Sequence, residues 1–172
     1  MYLWEKVGEC GAPDLFRRSE IKGRLEQMFL GQYQHNLDSK GRLTIPARYR
    51  DLLTEGAYLT QGFDRNLMVM TKPAFELVSR RVNQMSITDP TARLLRRLIF
   101  SGGEQVEIDK AGRILIPQFL REAANLDVEA VVVGVGDYFE IWSPVHWSEQ
   151  SEQLQDVDAN AHRFLAFDIS SG

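Results

Sequence analysis

The chain is poor in the residues that build covalent or metal-centred chemistry. Its 172 residues include one cysteine, Cys10. That excludes an intramolecular disulfide and a cysteine-rich metal site. Histidines stand only at positions 35, 146 and 162. None pairs with another at ligand spacing, so no metal or other cofactor is expected. Ser101, Gly102, Gly103 and Glu104 form a short glycine stretch without the Lys-Ser/Thr of a phosphate-binding loop. No run of 18 apolar residues occurs, and the first residues lack the apolar segment of a secretory leader. The expectation is a cytoplasmic protein with no membrane partner. Positive charge is also scarce, with 20 Lys and Arg against 24 Asp and Glu and a formal net charge of −4. Such a chain has no general attraction for nucleic acid, so any nucleic-acid site must be local.

The acidity is not spread evenly. Residues 105–172 hold twelve acidic and four basic side chains, whereas residues 77–104 hold five arginines against Asp89 and Glu104. Within this uneven background one motif occurs twice. Asp38-Ser-Lys-Gly-Arg42 is followed by Leu43-Thr-Ile-Pro46, and Asp109-Lys-Ala-Gly-Arg113 by Ile114-Leu-Ile-Pro117. The shift is a constant 71 positions: Asp38 to Asp109, Gly41 to Gly112, Arg42 to Arg113, Pro46 to Pro117. Each motif reads as a hairpin turn. The aspartate accepts from a backbone N–H two residues on, and the glycine supplies the positive φ that closes the hairpin.

The flanking segments repeat in the same order. Phe29, Tyr33, His35 and Leu37 alternate with polar residues, as a half-buried strand does. Arg42–Ile45 is the return strand. Pro46 opens a short helix that Gly56 ends, residues 57–62 and 66–71 are strands, and Pro73 opens a helix to Met85. In the second half, residues 104–108 and 113–116 form the hairpin, Pro117 opens a helix capped by Asn125, residues 130–135 and 138–143 are strands, and Ser143 caps a helix from Pro144. Between the halves, Asp89 caps a helix over residues 90–100. Each half therefore reads β-β-α-β-β-α, in an α+β chain built by duplication. A unit of roughly 50 residues buries little surface alone, so the two halves should pack as an intramolecular pseudo-dimer. The expected organisation is a weakly ordered extension over residues 1–27 with Met28 as an alternative first residue, a first repeat over 28–76, a helical connector over 77–103, a second repeat over 104–147, and a C-terminal helix and tail over 148–172.

Turn chemistry accounts for Asp38, Gly41, Asp109 and Gly112, which shape the loops. It does not account for an arginine after both glycines. Arg42 and Arg113, read as standing at two hairpin tips in a two-fold arrangement, suit a grip on two points of a polyanion, because a guanidinium can hold a phosphate or read guanine O6 and N7 bidentately. Lys40 and Lys110 add a cation at each tip. The aspartates can hold the loop shape or orient the arginines, and the sequence leaves both roles open.

These residues carry a resemblance. Residues 28–51, from Met28-Phe-Leu-Gly-Gln through Asp38-Ser-Lys-Gly-Arg42 to Asp51, resemble the opening of the MraZ family of bacterial transcriptional regulators, and Glu107–Pro117 resembles its second half. The resemblance covers roughly residues 28–170; residues 1–27 have no counterpart in the usual family pattern. It implies SpoVT/AbrB-like repeats, a swapped-hairpin or double-psi barrel-like fold, and Asp38, Arg42, Asp109 and Arg113 as the family's Asp-x-x-x-Arg positions. It further implies a nucleoid-associated repressor that binds double-stranded DNA at tandem short boxes upstream of the division and cell-wall gene cluster. It also implies assembly with copies of itself into a ring, without a small-molecule substrate.

Other features have plainer readings. Arg93, Arg96 and Arg97 share a helix face, read as solvated, with phosphate contact as the alternative. Leu94, Leu95, Leu98 and Ile99 read as core or subunit interface. Trp142, Trp147, Phe164 and Phe167 read as packing groups, and His35 as packed rather than catalytic. Two rivals to DNA binding are a ring-forming protein-interaction module using the acidic C-terminal third and a small hydrolase using Asp38 or His35. The hydrolase lacks a Ser/His/Asp order, a metal spacing or a nucleotide loop.

Overall fold

The computed structural model describes residues 28–165 and 167; the expected N-terminal extension lies outside them. In chain order the elements are β1 (Gln32–Asn36), β2 (Arg42–Thr44), α1 (Ala47–Arg50) continued by a 3-10 turn (Asp51–Leu53), β3 (Ala57–Gln61), β4 (Leu67–Thr71), α2 (Lys72–Gln84) and α3 (Pro90–Ser101). Then follow β5 (Glu104–Val106), β6 (Arg113–Leu115), α4 (Gln118–Ala123), β7 (Glu129–Gly134), β8 (Tyr138–Trp142), α5 (Pro144–Gln155) and α6 (Val157–Phe164). Each half runs β-β-α-β-β-α, as the sequence reading expects. The caps are local. The side chains of Thr71, Asp89, Ser143 and Asp156 accept from Ala74, Thr91, His146 and Ala159 N–H groups at the starts of α2, α3, α5 and α6. Asn125 turns the chain after α4 with φ +51°.

β3 pairs with β4 and β7 with β8 inside a half, and every other strand pairing joins the two halves. One antiparallel sheet has the order β1-β7-β8-β4-β3-β5, and β2 and β6 form a separate two-stranded ribbon. The first strand of each half lies on the third strand of the other: Tyr33 opposes Val132, and Val106 opposes Ala57. In the ribbon Leu43 opposes Ile114. Those two residues are counterparts under the 71-residue shift, so a pseudo-two-fold axis passes between them. The same shift exchanges Leu67 opposite Ile141 with Met70 opposite Tyr138, where β4 meets β8. The halves are thus interlocked. The barrel-like closure implied by the family resemblance is not found among the described residues. The six-stranded sheet keeps two edges, β1 and β5, because the short strands β2 and β6 pair with each other across the axis.

The core follows from alternation along these strands. Leu67 and Val69 of β4 point to one face and join Leu43, Ile45, Tyr49 and Leu53 with their counterparts Ile114, Ile116, Leu120 and Ala124 in one buried cluster. Each fully buried Leu or Ile in it contributes about 1.5–3 kcal/mol. Met68 and Met70 point to the other face, against Ile99, Phe75, Val78 and Leu95 of α2 and α3. Trp142 packs on Trp147 of α5 with ring centres 5.7 Å apart, whereas Phe164 and Phe167 are exposed. Ile99 is buried and Leu94 is 66% exposed.

Neither reading of the connector arginines describes what two of them do. Arg96 donates to the carbonyls of Val82, Asn83 and Met85 at 3.3, 2.9 and 2.8 Å, closing the C-terminal end of α2. Arg93 donates to Ile87 and Thr88 carbonyls at 2.9 and 3.0 Å. Helix ends leave carbonyls without partners, and a cation there is favourable. Arg97 is exposed.

Candidate nucleic-acid interface

Both Asp-x-x-Gly-Arg motifs fold into the same turn. Asp38 Oδ1 accepts from the N–H groups of Lys40 and Arg42 at 2.9 and 3.0 Å, and Gly41 N–H reaches the Asp38 carbonyl at 2.9 Å. Asp109 Oδ1 accepts from Ala111 and Arg113 at 2.9 and 3.0 Å, and Gly112 N–H reaches the Asp109 carbonyl at 2.9 Å. The glycines sit at φ +76° and +77°, a region costly for any residue with a Cβ. The two roles left open for the aspartates are both filled. While Oδ1 holds the loop, Oδ2 holds the arginine: Arg42 Nε donates to Asp38 Oδ2 at 2.7 Å, and Arg113 Nε and Nη2 donate to Asp109 Oδ2 at 2.9 and 2.7 Å.

The arginines are not at the hairpin tips. Exposed Lys40 and Lys110 are in the turns, whereas Arg42 and Arg113 begin β2 and β6. The register explains where they go. Buried Leu43 and Ile114 point to the core, so Arg42, Thr44, Arg113 and Leu115 share the opposite face of the ribbon. The two guanidinium groups lie together beside the axis, not at two separated points. Arg113 Nη1 reaches Asp38 Oδ2 at 3.3 Å, linking the halves.

The pair is unequal. The Nε and both Nη atoms of Arg113 have carboxylate partners, with the side chain 27% exposed. Arg42 is bound through Nε, is 32% exposed, and its two Nη groups have no protein partner among the described residues. The electrostatics agree with the hydrogen bonds. The Arg42 N–H holds the Asp38 carboxyl below its ordinary range, the Arg113 guanidinium does the same for Asp109, and Asp109 in turn raises Arg113. A carboxyl held ionised in this way is poorly suited to donate a proton. His35 is lowered by burial and then by Arg50, and its Nε2 is buried without a partner.

Two residues of the site escaped the sequence reading. Arg50 Nε donates to the Ile45 carbonyl at 2.9 Å, and Arg121 Nε donates to the Ile116 carbonyl at 3.2 Å. Both lie against the turn of the other half, Arg50 over Gly112 and Arg121 over Gly41. Backbone bonds tie the same places together: Ile45 N–H to Gly112 O and Ile116 N–H to Gly41 O, each 2.9 Å. The signal was present, because Arg50 and Arg121 are also 71 positions apart.

The sequence pattern of the family described as "MraZ protein, putative antitoxin-like" matches twice, over residues 28–98 and 99–168. A protein of Roseiflexus castenholzii named "Transcriptional regulator MraZ" is 48% identical over 137 residues, 80% of this chain and 94% of that protein. One of the same name from Herpetosiphon aurantiacus is 44% identical over 143 residues, 83% of this chain and all of that protein. Another, from Leuconostoc mesenteroides, is 40% identical over 143 residues with the same coverage. The chain belongs to the MraZ family, with two tandem copies of the family's domain.

Proposed function

We infer, from membership of a family of transcriptional regulators, that this chain is a sequence-specific DNA-binding regulator. It acts by occupying DNA rather than by catalysis, as a repressor at tandem short boxes upstream of the division and cell-wall gene cluster. The ribbon β2–β6 enters the major groove, which admits a two-stranded β-ribbon. Arg42 reads a base edge, and exposed Lys40 and Lys110 meet phosphates. The observation that carries this reading is the Arg42 guanidinium, oriented by Asp38 through Nε with two Nη groups left to donate outward. That is the fork a guanine O6/N7 pair accepts. Arg113, engaged on three nitrogens, serves mainly to hold the two turns at fixed spacing. A SpoVT/AbrB-like unit in which each half completes the other's sheet suits this role, because one rigid body then presents both turns.

The working form is a homo-oligomeric ring associated with the nucleoid. Two helix pairs, one following β4 and one following β8, support this. The α2–α3 pair exposes Leu77, Met85, Ile87 and Leu94 among several arginines, and the α5–α6 pair exposes Leu154, Val157 and Phe164 among Glu149, Glu152, Asp156 and Asp158. Opposite charge on two different apolar surfaces favours head-to-tail contact, which closes into a ring or runs on as a filament. One subunit makes few DNA contacts and the chain is acidic, so affinity must come from several subunits on one DNA. Linked contacts gain about 10²–10⁴ in avidity. Boxes repeated at about one helical turn, roughly 10–10.5 bp, should therefore bind far more tightly than one box. The test is a titration at fixed salt against one box, in-phase boxes and boxes displaced by about half a turn, using DNA from upstream of the chain's own gene. Indifference to phasing, or full-strength binding of one box by a monomer, refutes the ring reading. Absence of any preference for that DNA refutes the regulator reading.

A further inference from the structure

We propose that Arg121 and Arg50 are positioning residues for the DNA-reading turns, each serving the turn of the opposite half: Arg121 the Asp38–Arg42 turn, Arg50 the Asp109–Arg113 turn. The inference rests on the reading of the ribbon as the DNA-facing element. It starts from packing. Gly41 and Gly112 are buried although they lie in surface turns. What buries them is a guanidinium from the other half. A Cβ at Gly41 would stand 2.8 Å from Arg121 Nε and 3.0 Å from its Cζ, and a Cβ at Gly112 would overlap the Arg50 guanidinium. Each arginine is itself held from behind by the Ile116 or Ile45 carbonyl. The N–H of that same isoleucine bonds the glycine carbonyl of the opposite turn. So one residue, Ile116, links Arg121 to Gly41 on two sides, and Ile45 links Arg50 to Gly112 in the same way.

The glycine is the residue immediately before the reading arginine. Its peptide plane sets the direction in which Arg42 or Arg113 leaves the ribbon. A planar guanidinium lying on it limits rotation of that plane, and a planar fork loses less freedom per hydrogen bond than an ammonium would. The dependence is crossed. Arg50 is eight residues from Arg42 in sequence but serves the other turn; Arg121 is 79 residues away and serves Arg42.

Crossing makes the test specific. The full chain is compared with Arg121→Met and Arg50→Met, each alone and each combined with Arg42→Ala and with Arg113→Ala. Affinities are measured for tandem-box DNA and for DNA of equal length without boxes. In parallel, NMR follows hydrogen exchange of the Arg42 and Arg113 Nε–H groups. Arg121→Met should lower box affinity about tenfold, with little further loss once Arg42 is already alanine and the full loss when Arg113 is alanine. Arg50→Met should lower box affinity by less, because Arg113 mainly holds the turns, and should show the converse coupling. Affinity for box-free DNA should fall less than twofold, roughly the limit of additive independence. Exchange should quicken at Arg42 Nε–H in Arg121→Met and at Arg113 Nε–H in Arg50→Met. Coupling of each arginine to the turn of its own half, or full additivity with unchanged exchange, overturns the proposal. If the parent chain shows no preference for boxes, the DNA reading fails and the exchange pattern alone decides the crossed positioning. If a methionine variant does not fold, Arg121→Lys and Arg50→Lys, which keep stem and charge but not the planar fork, are read by the same two measurements.

Discussion

Replacing Arg42 by alanine separates DNA reading from folding, and the structure sets the size of each effect. The side chain makes one protein hydrogen bond among the described residues, Nε to Asp38 Oδ2. After its removal Asp38 still accepts from the Lys40 and residue-42 N–H groups and still faces Arg113 Nη1 at 3.3 Å. No buried acceptor is stranded, so the melting temperature should change by no more than about 2 °C. On DNA the loss is that of a bidentate base contact, about 1–3 kcal/mol per site, or roughly 5- to 150-fold in affinity for each box occupied. Arg113→Ala should divide the other way. It removes three hydrogen bonds to two carboxylates, including an ion pair that crosses the halves beside the axis. Its melting temperature should fall further than that of Arg42→Ala, with a smaller loss of box affinity. The assay is a fluorescence-anisotropy titration of both variants on the same tandem-box DNA, with thermal melts in the same buffer. A greater affinity loss for Arg113→Ala with both variants equally stable would show that the free Nη groups of Arg42 are not the reading groups.

Gly112→Ala should destabilise the chain more than Gly41→Ala. Both place a Cβ at positive φ, but the Arg50 guanidinium over Gly112 lies closer than Arg121 over Gly41; denaturant midpoints of the two variants check the order. Tyr49→Phe removes the bond from the buried Tyr49 hydroxyl to the Leu30 carbonyl at 3.0 Å, but that carbonyl keeps Tyr33 as a donor at 3.1 Å. The cost should be at the low end for a hydrogen bond, about 0.5–1 kcal/mol, or roughly 1–4 °C in a thermal melt. Burial lowers the His35 pKa from 6.5 in the folded chain, so below pH 6.5 the unfolded state takes up the proton first. The histidine's contribution is therefore full above that pH and is lost as pH falls toward its folded value. Melts from pH 8 to 5 should show a decline that is shallower in His35→Phe; an unchanged slope would refute it.

What was legible in the sequence is what is decided locally. Asp38 reaches N–H groups two and four residues on, and Gly41 needs its own backbone angle, so the turn could be read from five residues. The caps at Thr88–Pro90 and Ser143–Pro144 and the alternation in Leu67–Met70 are equally local. Partner choice is not. Nothing in Gln32–Asn36 says that it pairs with Glu129–Gly134 rather than with a strand of its own half; only the two-fold arrangement decides that. The same gap explains the arginines. Arg96 looked like part of a solvated face because the carbonyls it closes are 11 to 14 residues upstream, at the end of another helix. Arg50 and Arg121 went unread because the glycines they cover belong to the other half. The position of Arg42 and Arg113, side by side instead of at separate tips, follows from a ribbon register that neither motif encodes alone.

The strand exchange also sets a clock on synthesis. Residue 129, where the partner of β1 begins, is made 97 residues after residue 32. At about 5–20 residues per second that is an interval of roughly 5–20 s. Throughout it β1 lacks its sheet partner, and the β3–β4 hairpin lacks β8 on one side and, until residue 106 is made, β5 on the other. Leu43, Ile45 and Tyr49 cannot share a core with Ile114, Ile116 and Leu120 until residues 114–120 have been made. A chain cut short before residue 121 has one turn without its covering guanidinium, and one cut before residue 113 has no ribbon at all. Chains ended before residue 121 therefore carry an Asp38–Arg42 turn held by its own hydrogen bonds alone, and they should compete poorly with longer ones for whatever the ribbon grips. The arginine-bearing face is complete only once synthesis has passed residue 121.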